Sequence, residues 1–176
     1  MPLRPGIAVD VTGRGVPGLS LLRGQLIPDV ELDSASGRPF DFVAHARLLI
    51  YMYPGAARMI RGDETSLIDA EQHRAFRDRC DDFTACGFTV VGISSQSVVK
   101  QQSAVEVHKL LHELLSDPDF LLADELGVPT RRLGAVRVYE RATLLVRSGW
   151  INQVLSPQPT PDLHPTYVAH LLRRQG

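Results

Sequence analysis

Two apolar runs without alternation, Leu48 to Tyr53 and Phe88 to Ser95, do most to constrain what this chain can fold into. A strand with one wet face alternates apolar and polar residues, whereas continuous runs suit strands buried on both faces, as parallel sheets require. Between the runs, Ile68, Gln72, Phe76, Cys80 and Phe83 recur at helical spacing, Thr65 or Ser66 can cap the helix start, and Gly87 supplies a stop. The segment from Arg47 to Ser95 therefore reads as a βαβ crossover, right-handed in nearly all known cases. Ligands in such sheets sit beyond the carboxyl ends of the strands, beside helix N-termini, so a site is expected between Tyr53 and about Gln72.

The flanking segments extend this unit. Residues 1–27 are rich in Gly and Pro with one apolar patch, Leu19 to Leu22, and read as an irregular arm or hairpin. Pro28 to Asp33 alternates, Ser34 to Arg38 offers turn chemistry with Gly37, and Pro39 to Phe42 resumes, which makes a β-hairpin. After Ser95, residues 96–111 read as a second helix, Glu113 to Ser116 as a short strand, and Phe120 to Leu126 as a short helix stopped by Gly127. Val136 to Tyr139 and Ala142 to Val146 read as strands, Ser148-Gly149 as a turn, and Trp150 to Leu155 as the strand that returns. Pro157, Pro159 and Pro161 impose an extended link before a last helix, Pro165 to Arg174. The expected fold class is α/β: a thioredoxin-like mixed central sheet flanked by helices, with an N-terminal hairpin extension. Residues 1–23 are expected as an arm and 24–176 as one domain.

Charge and cysteine content remove several functions. With a formal net charge of −1 over 176 residues, nothing favours nucleic acid or an anionic membrane. The Arg131-Arg132 and Arg173-Arg174 pairs read as solvated surface. The first residues lack the long apolar core of a signal peptide, and no segment approaches the roughly 18 apolar residues of a membrane span, so a cytoplasmic location is expected. Two cysteines, Cys80 and Cys86, make neither a disulfide framework nor a zinc site. His108 and His112 lie four apart without a third ligand, so no metal and no cofactor are expected.

Several segments, in order, resemble the peroxiredoxins, above all the bacterioferritin comigratory protein type: Pro28-Asp29-Val30-Glu31-Leu32, Tyr51-Met52-Tyr53-Pro54, Phe76-Arg77-Asp78-Arg79, Val91-Gly92-Ile93-Ser94-Ser95, Leu115-Ser116-Asp117-Pro118-Asp119, Leu126-Gly127-Val128 and Arg141-Ala142-Thr143-Leu144. The resemblance implies a thioredoxin-like fold and a Pro-x-x-x-Thr-x-x-Cys motif after the Tyr-Pro strand end. Its cysteine thiolate, made acidic by the helix N-terminus and an arginine, attacks the peroxide oxygen and becomes a sulfenic acid. In this sequence the connection after Pro54 carries no cysteine. Counting back from Phe76 puts Asp69 at the position of the family's peroxidatic cysteine and Ser66 at its threonine; counting forward from Tyr53 gives Arg58 or Met59 instead. Arg141 matches the arginine that opens the family's Arg-x-Thr strand.

The candidate catalytic residues are thus Asp69, Arg141 and Ser66, with Tyr53, Pro54, Arg58, Thr65 and His73 as candidates for holding a substrate. Asp69 is either a favourable partner of the helix dipole or one half of an Asp69–Arg141 pair across the former peroxide pocket, able to orient a polar substrate or act as a base. His73, four residues after Asp69, reads either as a solvated neighbour or as part of that pocket. Three functions follow: a repurposed scaffold taking a small polar molecule, a thiol-dependent peroxidase of residual activity, or a non-catalytic interaction module. The expected partner is a small-molecule ligand, and a homodimer is left open.

Overall fold

The computed structural model describes residues 18–55, 65–156 and 160–175. A short 3-10 turn, Leu19–Leu22, precedes β1 (Leu32–Ser34), β2 (Pro39–Phe40), β3 (Arg47–Met52), α1 (Thr65–Asp78), α2 (Cys80–Ala85), β4 (Thr89–Ser94) and α3 (Val98–His108). There follow β5 (Glu113–Ser116), α4 (Leu121–Leu126), β6 (Thr130–Leu133), β7 (Val136–Tyr139), β8 (Ala142–Arg147), β9 (Trp150–Leu155) and α5 (His164–Arg173). Seven strands form a mixed sheet in the order β2-β1-β5-β4-β3-β8-β9. The β3/β4 and β4/β5 pairs are parallel and the others antiparallel.

The unalternating run of β3 is buried on both faces, as its composition requires. Leu48, Ile50 and Met52 pack with Leu122 and Leu126 of α4, and with Leu19 and Leu22. Leu49, Tyr51 and Tyr53 pack with Phe76 of α1, Phe83 of α2 and Val168 and Leu172 of α5. The sheet therefore lies between two helical layers, and the thioredoxin-like architecture holds. The described part of the arm expected over residues 1–23 is tied into this core, since Leu19 and Leu22 are buried there. The hairpin expected from Pro28 is present in shorter form, β1 and β2, and joins the sheet alongside β5.

Three local readings are corrected. The single helix expected between the apolar runs is broken at Arg79, whose φ of −110° and ψ of 7° leave helical geometry. The apolar spacing crosses this break because Phe76 and Phe83 serve the same core. Thr65 and Ser66, expected as caps, already lie within α1 as it is described. A strand at Thr130–Leu133 was not read from the sequence; it pairs with β7 in a separate two-stranded sheet. Among the described residues no helix is long and apolar enough to cross a membrane.

Candidate functional site

At the carboxyl ends of β3 and β4 the chain leaves the sheet as Tyr53-Pro54-Gly55, and α1 comes back beside it. Gly55 takes a φ of +65°, and a Cβ there would lie 2.7 Å from Gln96 Cγ and 2.8 Å from Ser94 Oγ, so glycine alone fits. Its amide donates to Asp69 Oδ2 at 3.0 Å, which ties the strand end to the helix. Asp69 Oδ1 meets Arg141 Nη2 at 2.5 Å, and Arg141 Nη1 donates to Gln72 Oε1 at 2.5 Å. Both members of the ion pair are buried. Arg141 stands just before β8, the antiparallel neighbour of β3, so it comes up beside the strand end that Gly55 ties to Asp69, a residue 72 positions earlier in the chain.

A chain of polar side chains underlies this pair. Tyr51 Oη lies 2.7 Å from His73 Nδ1 and 2.8 Å from His112 Nε2. A phenol has one hydrogen, so it donates to one imidazole and accepts from the other. His112 Nδ1 is buried with no partner among the described residues, and a proton there would be an orphaned donor. Hydrogen-bond satisfaction therefore assigns the His112 proton to Nε2, the Tyr51 proton to the bond with His73, and the His73 proton to Nε2. Gly92 makes room for this arrangement, because a Cβ at that position would sit 2.6 Å from Tyr51 Cζ.

Tyr53 continues the network on the same face. Its hydroxyl donates to Gln101 Oε1, and Gln101 Nε2 donates to Ser94 Oγ at 3.0 Å and to the Leu115 carbonyl at 2.9 Å. The Tyr53 and His73 rings meet edge to face at 4.4 Å. Burial pushes both phenols above the ordinary range, that of Tyr51 well above it. Burial, followed by electrostatic coupling to His112, His108 and Arg141, pulls His73 well below its usual value, so its imidazole is neutral.

A cavity of about 100 Å³ opens here, lined in part by Tyr53, Ser66, Asp69, His73, Gln96 and His108. Of the residues singled out from the sequence, Tyr53, Ser66, Asp69 and His73 meet at this cavity, and Arg141 reaches it through Asp69. Pro54 is buried at the strand end, Thr65 opens the described part of α1, and Arg58 lies outside the described residues. The solvated reading of His73 is corrected, since the ring is 3% exposed and bonded to Tyr51. Asp69, read as part of a first helical turn, lies in the second turn of α1 as described. Tyr51, Gln72, Gln101 and His112 were not among the candidate site residues; Gln72 stood only as a core position bounding the expected site, and His112 only as one of a histidine pair weighed for a metal. No group of three metal-binding side chains occurs among the described residues.

Cys80 is half-buried at the α1–α2 junction, and burial raises its thiol pKa, with Asp81 adding to the shift. Cys86 follows the C-terminal end of α2 and borders a different cavity, beside Arg47 at the amino end of β3. Neither sulfur lines the Asp69 cavity.

A parallel strand pair, a helix folded back on its carboxyl edge, and an arginine delivered from the next antiparallel strand define a thioredoxin-like protein of the peroxiredoxin class. The AhpC/TSA family profile matches residues 24–154, and the chain belongs to that family. It is 30% identical over 173 residues to a chloroplastic peroxiredoxin Q of Sedum lineare, covering 98% of this chain and 84% of that one. A putative peroxiredoxin bcp of Haemophilus influenzae is 31% identical over 129 residues, covering 71% and 78%. The crystal structure of peroxidoxin BcpB from Mycobacterium tuberculosis matches with a TM-score of 0.71 at 25% identity, over 86% of this chain and 96% of that one. A Xanthomonas campestris peroxiredoxin Q structure gives the same TM-score at 21% identity, over 85% and 95%.

Proposed function

We propose that this chain is a peroxiredoxin scaffold whose peroxide site carries Asp69 in place of the peroxidatic cysteine, and that the site takes a small uncharged polar molecule. The observation that carries the reading is the 2.5 Å contact of Asp69 Oδ1 with Arg141 Nη2. In the family the matching arginine serves the reactive sulfur, so a carboxylate on that arginine stands where the sulfur is expected. Within the same resemblance, the motif count back from Phe76 supports Asp69, whereas the count forward from Tyr53 points to Arg58 or Met59.

The chemistry follows from the donors. A sulfenic acid cycle needs a thiolate at the pocket, and a carboxylate that already accepts from a guanidinium and an amide is a poor nucleophile and a poor base. Asp69 is then a positioning residue for the cavity wall. Its charge is balanced by Arg141 and His73 is neutral, so the cavity suits an uncharged ligand that accepts a hydrogen bond from His73 Nε2–H and bonds the Ser66 hydroxyl. Its volume holds only a few non-hydrogen atoms.

Family membership favours a competing reading, a thiol-dependent peroxidase that uses Cys80 or Cys86. Stopped-flow reduction of hydrogen peroxide and an alkyl hydroperoxide, with dithiothreitol as reductant, separates the two. The expected result is no catalytic turnover by the wild type and a new peroxide-reactive thiol in Asp69→Cys. Turnover by the wild type that Cys80→Ser or Cys86→Ser abolishes would overturn the proposal. Ligand binding is read from the His73 and His108 ring signals during titration with small neutral amides and alcohols, and saturable shifts are expected.

A further inference from the structure

The opposite end of the sheet carries a different chemistry. Arg47 begins β3 and lies directly across from Arg147, the last residue of β8. Side chains alternate along a strand, so Arg47 shares a face with Leu49 and Tyr51, the face covered by α1, α2 and α5. On that face the guanidinium carbons of Arg47 and Arg147 lie 5.9 Å and 5.1 Å from the centroid of one ring, Phe88. Like charges directly opposite on an antiparallel pair repel, and the shared ring offsets only part of that repulsion.

The surrounding groups leave the positive charge largely unbalanced. Arg47 Nη1 donates to the Cys86 carbonyl at 2.8 Å, a neutral acceptor at the end of α2. Among the described residues neither Arg47 nor Arg147 has a carboxylate partner. Arg173, at the end of α5, pairs with Asp82, but that carboxylate is shared with Arg79. These three arginines, with Cys86, Phe88 and Leu172, line a cavity of about 600 Å³. That volume falls among small-molecule sites, which run from about 300 to 1,000 Å³. The chain as a whole is near neutral, so the positive field belongs to this cavity rather than to the molecule.

We infer that this cavity binds a small molecule through a phosphate or pyrophosphate group, with Arg47 and Arg147 gripping the oxygens and Arg173 contributing the third cation. Guanidinium groups present paired N–H donors that match a phosphate, and an anion between them converts a repulsive pair into a clamp. The sequence pattern concealed this site. Its arginines come from positions 47, 147 and 173, and none of them forms a basic run with the other two.

Isothermal titration of the full chain with pyrophosphate, and separately with a nucleoside diphosphate, tests the site at fixed ionic strength. Saturable binding is expected, weakened at least tenfold by Arg47→Gln or Arg147→Gln and unchanged by Arg132→Gln on β6. Tighter binding of the nucleotide would mean that the apolar wall at Leu172 also reads the ligand; equal affinities would mean that phosphate alone is read. Thermal unfolding without ligand supplies the control for folding, because removing one of two like charges should leave Arg147→Gln at least as stable as the wild type. No saturable heat with either probe, or heats that the two substitutions leave unchanged, would overturn the site.

Discussion

Asp69 shares its two carboxylate oxygens between Arg141 and the Gly55 amide, and Arg141 divides its guanidinium between Asp69 and Gln72. Removing one member of so closed a pair leaves a buried charge without its counterion. Asp69→Ala should therefore lose about 3–5 kcal/mol in urea unfolding at neutral pH, whereas the double change Asp69→Leu with Arg141→Met should recover most of that loss. If the single variant were as stable as the wild type, the pair would be less desolvated than its geometry states. At this scale the sequence was partly legible. Asp69 and Arg141 were named through the family resemblance, and the connection before α1 left Arg58 or Met59 as rivals to Asp69. Tyr51 was not, because its hydroxyl acquires a role only through His73 and His112, 22 and 61 residues away. Nor was Gln101, which helical spacing cannot distinguish from an exposed polar residue although it is fully buried.

Among the elements, β4 contains a constraint that its apolar run conceals. Gly92 lies in register with Tyr51 on one side and Leu114 on the other, and a methyl there would stand 2.6 Å from Tyr51 Cζ and 2.7 Å from Leu114 Cδ2. Gly92→Ala should cost about 1–3 kcal/mol through overpacking, seen as a lower Tm, with altered His73 and His112 ring signals as the Tyr51 hydroxyl moves. An unchanged Tm would show that the ring relocates freely. The long apolar strands were readable because burial on both faces leaves a continuous run. The β8–β9 hairpin was readable because Ser148 and Gly149 accept positive φ values of 49° and 80°. β6 was not, since Thr130-Arg131-Arg132-Leu133 has no apolar alternation and is held by pairing with β7 rather than by a core. The break between α1 and α2 escaped for the opposite reason, a shared apolar face that runs through it.

For the whole molecule, acid stability is set by histidines kept neutral inside the fold. Burial pulls His112 down to about 4, holds His164 near the same value beside Thr143 Oγ1, and places His73 well below its usual range. These folded values lie below the unfolded one, so as pH falls the unfolded chain takes up protons that the native state refuses. The contribution is absent above about pH 7, and stability should decline from about pH 6.5 towards pH 4 by up to about 1.4 kcal/mol per pH unit for each such histidine. Urea midpoints measured across that window check this, and His164→Gln should give a shallower decline than the wild type. A flat profile would mean that the imidazoles are protonated in the native state.

The margins of the sheet carry a further consequence. On one side β2 is two residues long, and on the other the start of β9 is already met by residues 24–27 through the Leu26–Trp150 bridge and its neighbouring amide bonds. A stranger's backbone finds few consecutive free amides to zip onto at either rim. Self-recognition by this molecule, where it happens, is thereby pushed towards side-chain contacts on the helical faces, and the fold is guarded against fibrous stacking at its borders.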